Sequence, residues 1–347
     1  MAVTLSDVAR RAGVSEATAS RVLNGRRYVA AGTRLRVEEA ARDLDYLPNQ
    51  AARNLSRART ATVALLVHHA QYPAHGEGTF SSRVVAAVSR ALRRAGHDTL
   101  YVEVDDDAVQ RLDRLPEVRP GRSDSVLVLG PSFPPQAVAR LAESGRRVVL
   151  IDHRVPGVDA VLTENRAPMA ELTHHLTDGH GYRRLVALGG PSRWTSTAER
   201  LSGVRLAARR TGADLRVVHA RETTMRDGAA LAERLLDDPP DALVAVNDAM
   251  ALGAMHRFRA LPTRRRPAVT GFDDIAWAEL ADPPLTSVSV DVNEIGAAAA
   301  DLVIEPTATV GPMTHPAREV RVPATVRLRR SCGCRQPGGA LRRSEGG

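Results

Sequence analysis

The chain has 347 residues, of which 43% are hydrophobic and 25% charged, and it carries a net charge of +8 at pH 7. This length predicts two or three domains, and the composition is typical of globular proteins and excludes a largely disordered chain. No apolar run approaches the roughly 18 residues of a membrane span. The N-terminus lacks the apolar core and cleavage site of a signal peptide, so we expect a cytoplasmic protein.

Positive charge is concentrated at the two ends of the chain. Residues 1–60 contain 11 arginines against 6 acidic residues, and residues 318–347 contain 8 arginines against 2 acidic residues. The remaining residues, 61–317, are mildly acidic. A basic N-terminal segment on such a chain indicates that this segment contacts a polyanion. The segment 331–347 is rich in Gly and Arg and is predicted to be a disordered basic tail.

The segment 4–24, TLSDVARRAGVSEATASRVLN, predicts two short helices joined by a turn at Gly13. Ser15 is a good N-cap for the second helix. On that helix Ala19, Val22 and Leu23 face the core. The outward set is Glu16, Ala17, Thr18, Ser20 and Arg21. Such a face can enter a major groove with its N-terminal end first; the alternative is a generic helical hairpin at the surface.

Residues 46–60 form a polar connector with one candidate helix of fewer than three turns, entered at Pro48 and capped by Asn49. A helix this short is marginal in water. The alternative interpretation is a plain flexible linker.

From residue 62 onward, short apolar strands alternate with amphipathic helices. The ten predicted strands are 62–67, 99–104, 125–130, 147–152, 160–163, 184–190, 215–220, 242–247, 268–272 and 286–290. Apolar strands separated by helices predict parallel sheets covered on both faces. Ten strands favour two doubly wound lobes, with a ligand in the cleft at the carboxyl ends of the strands.

Several segments resemble the lactose/galactose repressor (LacI/GalR) family over almost the whole chain. They are DVARRAGVSEATASRVLN, TRLRVEEAARDLDYLPNQAARNL, ERLSG, AVNDAMALGAM, GFDD and PPLTSV. The resemblance implies a small all-α helix-turn-helix DNA-binding domain followed by an α/β effector domain. This second domain is expected to be periplasmic-binding-protein-like, with two doubly wound parallel-sheet lobes.

The domain boundaries expected from this resemblance are 1–45 for the DNA-binding domain, 46–60 for the hinge and 61–330 for the effector-binding and dimerisation domain. Within the last, the N-lobe comprises about 61–161 and 293–320, and the C-lobe about 162–292 and 321–330. Residues 331–347 are the predicted tail.

By resemblance, Glu16 and Ala17 select the operator sequence and Arg21 reads a base. An arginine can pair with guanine and a carboxylate can accept from the amino group of cytosine. Residues expected near phosphates are Thr4, Ser15, Ser20, Asn24 and Tyr28. Two departures from the family pattern are Ala19, where valine is usual, and Ala30, where a serine usually caps the third helix.

The hinge resemblance implies a helix that folds only when two hinges pair over the centre of the operator. Leu55 then wedges into the minor groove, with Ala52 and Arg53 beside it. Apolar wedging that kinks DNA has a clear physical basis.

The resemblance also places an effector site in the cleft. Its expected residues are Thr79, Phe80, Trp194, Ser196, Arg200, Asp248 and Asp273. Arg200 offers a planar fork of donors and Asp248 accepts hydroxyls, a combination suited to a sugar-like molecule. The alternatives are that Arg200 and Asp248 pair with each other, and that Asp273 and Asp274 are structural turn residues.

No metal site and no cofactor are expected. Cys332 and Cys334 alone cannot complete a tetrahedral zinc site. We expect the two cysteines to have no structural role. The alternative is that they are redox-sensitive or make an intermolecular contact. The histidines at 68, 69, 174, 175 and 180 show no convincing metal-ligand spacing and are interpreted as surface or packing residues.

The function implied is a transcriptional regulator, most simply a repressor, that binds a pseudo-palindromic double-stranded operator as a homodimer under control of a small molecule. No leucine heptad follows residue 330, so a tetramer is not expected. The alternative of a periplasmic solute receptor is disfavoured, because such a protein would carry an export signal and would lack a DNA-binding domain. An enzyme is disfavoured because no nucleophile elbow, Walker loop or dinucleotide fingerprint is present. The sequence does not determine the operator sequence or the identity of the effector. It also leaves open whether the effector is an inducer or a corepressor, and whether the protein represses or activates transcription.

Overall fold

The computed structural model describes residues 3–23, 29–46, 60–68, 79–305 and 317–334. The chain divides into two units, Met1–Thr60 and Ala61–Gly347. Some residues expected to contact DNA lie outside the described residues, namely Asn24, Tyr28, Asn49, Ala52, Arg53 and Leu55.

The described residues of the first unit form three helices: α1 (Leu5–Ala12), α2 (Glu16–Leu23) and α3 (Ala31–Asp43). Thr4 and Asp7 make a reciprocal capping box at the start of α1, and Gly13 ends the helix with a φ of 64°. Glycine adopts this left-handed conformation at little cost. The small core shared by the helices consists of Val8, Ala9, Ala12, Ala19, Val22, Val37 and Ala40.

The first lobe of the second unit is built on a parallel six-stranded sheet. Its strands are β1 (Thr62–His68), β2 (Asp98–Val104), β3 (Ser125–Leu129), β4 (Arg147–Ile151), β5 (Asp159–Thr163) and β11 (Glu319–Val322), in the order β11-β5-β4-β3-β1-β2. Helices α4 (Phe80–Arg94) and α11 (Val292–Ile304) pack on one face, and α5 (Pro135–Glu143) packs on the other. Alternate residues of β1 belong to different core clusters, Leu65 to one and Leu66 to the other. This is why the strands are apolar throughout.

The second lobe has the same plan. Its strands are β6 (Arg184–Gly189), β7 (Asp214–His219), β8 (Ala242–Ala245), β9 (Ala268–Asp273), β10 (Thr286–Val290) and β12 (Ala324–Arg327), in the order β12-β10-β9-β8-β6-β7. Its helices are α6 (Arg166–His174), α7 (Thr195–Thr211), α8 (Met225–Glu233), α9 (Asp248–Phe258) and α10 (Ala276–Leu280). The predicted two doubly wound lobes are therefore confirmed.

The chain passes between the lobes three times, after β5, after β10 and after β11. All ten predicted strands are present. Strands β11 and β12 were not predicted, because each has four residues and polar side chains at both of its exposed positions, one of which is an arginine. β12 is the only strand of its sheet, among the described residues, that pairs antiparallel to its neighbour.

The prediction of a disordered tail from residue 331 is wrong for residues 331–334. Arg330–Cys332 form a 3-10 turn in which Ser331 and Cys332 are buried. Ser331 Oγ accepts from Thr286 N at 2.8 Å and donates to Val269 O at 2.5 Å. These bonds attach the segment to strands β10 and β9. No described helix has the length and apolar character of a membrane span.

Candidate functional site

The outward face of α2 lies where the sequence predicts it. Glu16, Ala17 and Arg21 are exposed, whereas Thr18 and Ser20 are partly buried. Ser15 Oγ accepts from Thr18 N at 3.2 Å and so caps the helix. Glu16 and Ala17 project from the first turn, the end expected to approach bases first.

Three positions of the first unit have roles fixed by the helices: Thr4, Ala30 and Ala19. The Thr4 hydroxyl donates to the Asp7 carboxylate at 2.7 Å, so its side chain is engaged in the cap of α1. Ala30 is the N-cap residue of α3 and makes no side-chain cap. This is the position where the family usually has a capping serine, and alanine has no side-chain oxygen to replace it. Ala19 is fully buried in the small core.

A cavity of about 640 Å³ lies between the two lobes of the second unit. Among the residues that line it are six expected from the sequence: Thr79, Phe80, Trp194, Ser196, Arg200 and Asp273. Others follow directly after strands, including Gly130 after β3 and Asp152 after β4. The cavity therefore lies at the carboxyl ends of parallel strands, where α/β folds bind ligands.

Arg200, from α7, is 6% exposed and is held from several sides. Its Nε donates to Asn165 Oδ1 at 2.8 Å and its Nη1 to Val246 O at 2.7 Å. The guanidinium lies 3.6 Å from the centroid of the Phe272 ring and 3.5 Å from Asp273 Oδ1. These contacts fix the planar donor group before any ligand arrives.

Asp248 does not line the cavity, in contrast to the sequence prediction. Its side chain is fully buried, where it accepts from Ser287 Oγ at 2.6 Å and from Ile275 N at 2.9 Å. Burial raises the pKa of Asp248 well above its usual value. The alternative pairing with Arg200 is also wrong, because Asp273 is the carboxylate beside that arginine. Asp248 ties the start of α9 to β10 and to the segment after β9.

The two neighbouring aspartates of GFDD have different surroundings. Asp273 lines the cavity, and burial raises its pKa to about 7 although Arg200 opposes the shift. Asp274 instead forms an ion pair with Arg329 at 2.7 Å. Both have positive φ angles, 105° and 49°, as expected of a sharp turn that ends a strand.

Sequence reasoning missed several residues of the cavity wall, of which Asp152, Glu222, Asn247 and Trp277 bring polar or aromatic groups. Asp152 follows the buried strand β4, and burial raises its pKa to about 6. Its position directly after the apolar residues VVLI of β4 was a usable signal. Asn247 likewise follows β8, one residue before the aspartate that was predicted instead.

Two polar atoms of the cavity wall are buried without a hydrogen bond to the described residues, namely Trp194 Nε1 and Asp273 Oδ1, the second of which has the ion-pair contact with Arg200 at 3.5 Å. A buried polar atom without a hydrogen bond costs about 1–3 kcal/mol. A molecule in the cavity that accepts from the indole and donates to the carboxyl group therefore gains binding energy.

Comparison with known proteins identifies the family. The HTH-type transcriptional regulator CelR of Thermobifida fusca is 34% identical over 332 residues, which cover 91% of this chain and 95% of CelR. The chain belongs to the LacI family. The model of bacterial regulatory proteins of the lacI family matches residues 4–49, and that of the periplasmic binding protein-like domain matches residues 173–332.

Other similarities agree with membership of the LacI family. The ribose operon repressor of Escherichia coli K12 is 30% identical and covers 87% of this chain and 92% of its own. A solved structure of a CelR–cellobiose complex is 29% identical, with a TM-score of 0.68 over 95% of this chain and 99% of that one. The lac repressor dimer bound to operator and the anti-inducer ONPF has a TM-score of 0.79 at 23% identity, over 96% and 99% of the two chains. That last likeness supports the fold alone.

As a LacI-family protein, the chain is a DNA-binding transcriptional regulator, and its relatives are regulators and not enzymes.

His175 and His180, interpreted from the sequence as surface or packing residues, lie against each other, with their Nε2 atoms 3.1 Å apart. Cys332 and Cys334 join them, and all four ligand atoms lie within 4.8 Å of one another. The spacing of five between the histidines falls in the range used by zinc proteins, so a signal was present in the sequence.

Proposed function

We propose that this protein represses transcription by binding a pseudo-palindromic operator as a homodimer, and that a sugar-like molecule in the inter-lobe cavity controls this binding. Residues 1–45 read DNA, 46–60 form the hinge, and 61–330 bind the effector and dimerise, with 331–334 packed against the C-lobe. The observation that carries the DNA-binding role is the capped helix α2, whose Glu16, Ala17 and Arg21 are exposed.

Within α2, Arg21 supplies the base contact and Glu16 adds selectivity. A carboxylate is repelled by phosphates unless it meets a donor such as the cytosine amino group. Thr4, Ser15 and Ser20 lie near phosphates, and the hinge contributes the contacts expected of Leu55 and its neighbours. Two such heads place their recognition helices in successive major grooves.

The cavity favours an uncharged polyhydroxylated ligand. Its wall combines the indoles of Trp194 and Trp277 with the carboxyl groups of Asp152 and Asp273, an arrangement that suits a ring with hydroxyl donors. Arg200 is already engaged by protein groups, so a phosphorylated ligand would depend on Arg226, the other arginine of the wall, beside the carboxyl groups of Asp152, Glu222 and Asp273. The solved complex of CelR with cellobiose supports a sugar as the class to test first.

For a ligand to control DNA binding, its binding in the cavity must change how the two lobes are positioned relative to each other. Arg83 in α4 of the N-lobe donates through Nη1 to Asp273 O at 3.1 Å and to Asp274 O at 2.9 Å in the C-lobe. A ligand bound to Asp273 therefore contacts the same C-lobe turn to which Arg83 of the N-lobe donates its hydrogen bonds. We place the protein in the cytoplasm, with its operator, and assign it no catalytic activity.

Selection of bound duplexes from a random pool tests the DNA-binding role. We expect a pseudo-palindromic consensus and a dimeric complex. Arg21→Ala is expected to weaken binding to that consensus by about 1–3 kcal/mol and to relax the preference at one base pair of each half-site. Arg10→Ala, an exposed arginine of α1 that pairs with Asp7, is the control and should keep the base preference. Recovery of no consensus at moderate salt would contradict the proposal.

A screen of neutral sugars, sugar phosphates and nucleosides against the operator complex tests the effector class. We expect a neutral sugar to change operator affinity. The Asp273→Asn variant should bind that sugar more weakly while still binding operator DNA. A response to sugar phosphates alone would show that the assigned effector class is wrong without affecting the DNA-binding role.

A further inference from the structure

Two histidines and two cysteines from distant parts of the chain meet on the C-lobe, away from the inter-lobe cavity. His175 and His180 lie between α6 and β6, whereas Cys332 and Cys334 follow β12, more than 150 residues later. We propose that this cluster is a structural binding site for a divalent metal ion of the zinc class, which fastens the segment after β12 to the C-lobe.

The separations match those of a tetrahedral site. The two Nε2 atoms are 3.1 Å apart, and Cys334 Sγ lies 3.5 Å from each of them. With Zn–N of about 2.0–2.1 Å and Zn–S of about 2.3 Å, tetrahedral geometry places two nitrogens about 3.3 Å apart and a nitrogen and a sulfur about 3.6 Å apart. His175, His180 and Cys334 can therefore contact one ion after shifts of a few tenths of an ångström, and Cys332 Sγ, which lies within 4.8 Å of all three ligand atoms, completes the set with a rotation of its side chain away from Arg329 O.

The donor set selects the metal. Two imidazoles and two thiolates form one of the usual structural zinc sets, whereas Mg²⁺ and Ca²⁺ prefer oxygen ligands. Two thiolates also neutralise a divalent cation, which suits a site where Cys332 is fully buried and the other three ligands are partly buried. Four protein ligands leave no open position, so the site is structural and not catalytic.

The backbone around the cluster is shaped to bring the ligands together. His175 begins a π-helical turn, His175–Gly179, a rare form that is frequent at functional sites. Gly333, between the cysteines, has a φ of 103°. A Cβ atom there would lie 2.5 Å from Tyr182 Oη and 3.4 Å from His180 Nδ1. Only glycine lets both thiols approach the histidines.

Tyr182 supports the same arrangement from outside the ligand set. Its hydroxyl donates to Cys332 O at 3.3 Å, and its ring stacks on His180 with centroids 5.4 Å apart. Such contacts around the ligands hold a metal-binding histidine in orientation.

Metal analysis of the untagged full-length protein tests the site. After expression with zinc and exhaustive dialysis, we expect about one zinc per chain by mass spectrometry. The double variant Cys332→Ser, Cys334→Ser should fall to background. The control is His174→Ala, which removes the adjacent exposed histidine and should retain the metal. Removal of zinc from the wild type should lower the Tm of the effector domain, whereas the same treatment should leave the Tm of the double variant unchanged.

Cobalt substitution keeps the test decisive if the double variant does not fold. Cobalt bound to the wild-type protein should give the visible bands of tetrahedral coordination and a thiolate-to-cobalt charge-transfer band. Three outcomes would overturn the proposal: a wild type without bound metal, a cobalt spectrum without thiolate ligation, or equal zinc content in wild type and folded double variant.

Discussion

Asp273 is an acid whose burial makes stability depend on pH. Its pKa is raised from 3.8 to about 7, so over that interval the folded protein holds a proton that the unfolded chain has released. Because the unfolded state then binds fewer protons, the free energy of unfolding falls as pH rises, by at most about 1.4 kcal/mol per pH unit. The contribution is favourable at the acid end of the window and lost as pH passes the folded pKa.

The variant Asp273→Asn removes this titration. We expect the wild type to lose stability relative to the variant between about pH 4 and about pH 7 in urea unfolding of the effector domain, with the profile levelling off above the folded pKa. Asp274→Asn, which breaks the ion pair with Arg329, is the neighbouring control and should leave that slope in place. Parallel pH profiles for wild type and Asp273→Asn would show that Asp273 has an ordinary pKa.

Ala30 offers a gain of stability in the DNA-binding unit. It is exposed and precedes α3 without a side-chain cap. Ala30→Ser supplies an acceptor for the free backbone amides of the first turn and should stabilise the unit by about 0.5–2 kcal/mol. Slower hydrogen exchange of the α3 amides in the full chain is the measurement. Ala31→Ser, one residue inside the helix, should give no such protection.

At the scale of elements, α8 and α9 cross at two glycines. A Cβ atom at Gly253 would overlap the carbonyl oxygen of Met225, and one at Gly228 would overlap that of Met250. Gly253→Ala should force the helices apart and cost about 1–3 kcal/mol, seen as a lower urea midpoint of the effector domain. Gly32→Ala in α3 is the control, because its added Cβ meets nothing within 4 Å. An unchanged midpoint for Gly253→Ala would mean that the crossing can relax freely.

For the whole molecule, Arg83 should matter for communication more than for binding. It joins α4 of the N-lobe to the turn at Asp273 in the C-lobe. We expect Arg83→Ala to reduce the coupling between effector and operator, typically about 1–3 kcal/mol in allosteric proteins. The measurement is the ratio of operator Kd values with and without the sugar found in the screen.

Arg90 supplies the matched control for this prediction. It lies on the same helix but donates to Asn293 Oδ1 at 2.9 Å within the N-lobe. Arg90→Ala should leave the ratio unchanged. Equal ratios for wild type and Arg83→Ala would show that communication follows another path between the lobes.

The sequence by itself determined the features that depend on neighbouring residues. The caps at Thr4 and Ser15, the turn at Gly13 and the apolar strands of both lobes are set by interactions within a few positions along the chain. The same local patterns carry the family resemblance. They also indicated the position of the cavity and six of its lining residues, because the carboxyl ends of parallel strands converge in this fold.

Only the tertiary structure decided which distant groups meet. It placed Asp273 and not Asp248 beside Arg200, and it brought Cys332 and Cys334 to the pair of histidines. Strand order and helix packing fix such pairings across long stretches of chain, and a buried polar group must take its partner from whatever residues those elements bring near it. For that reason adjacent residues of one motif, such as Asn247 and Asp248, can differ in role although their sequence context is the same.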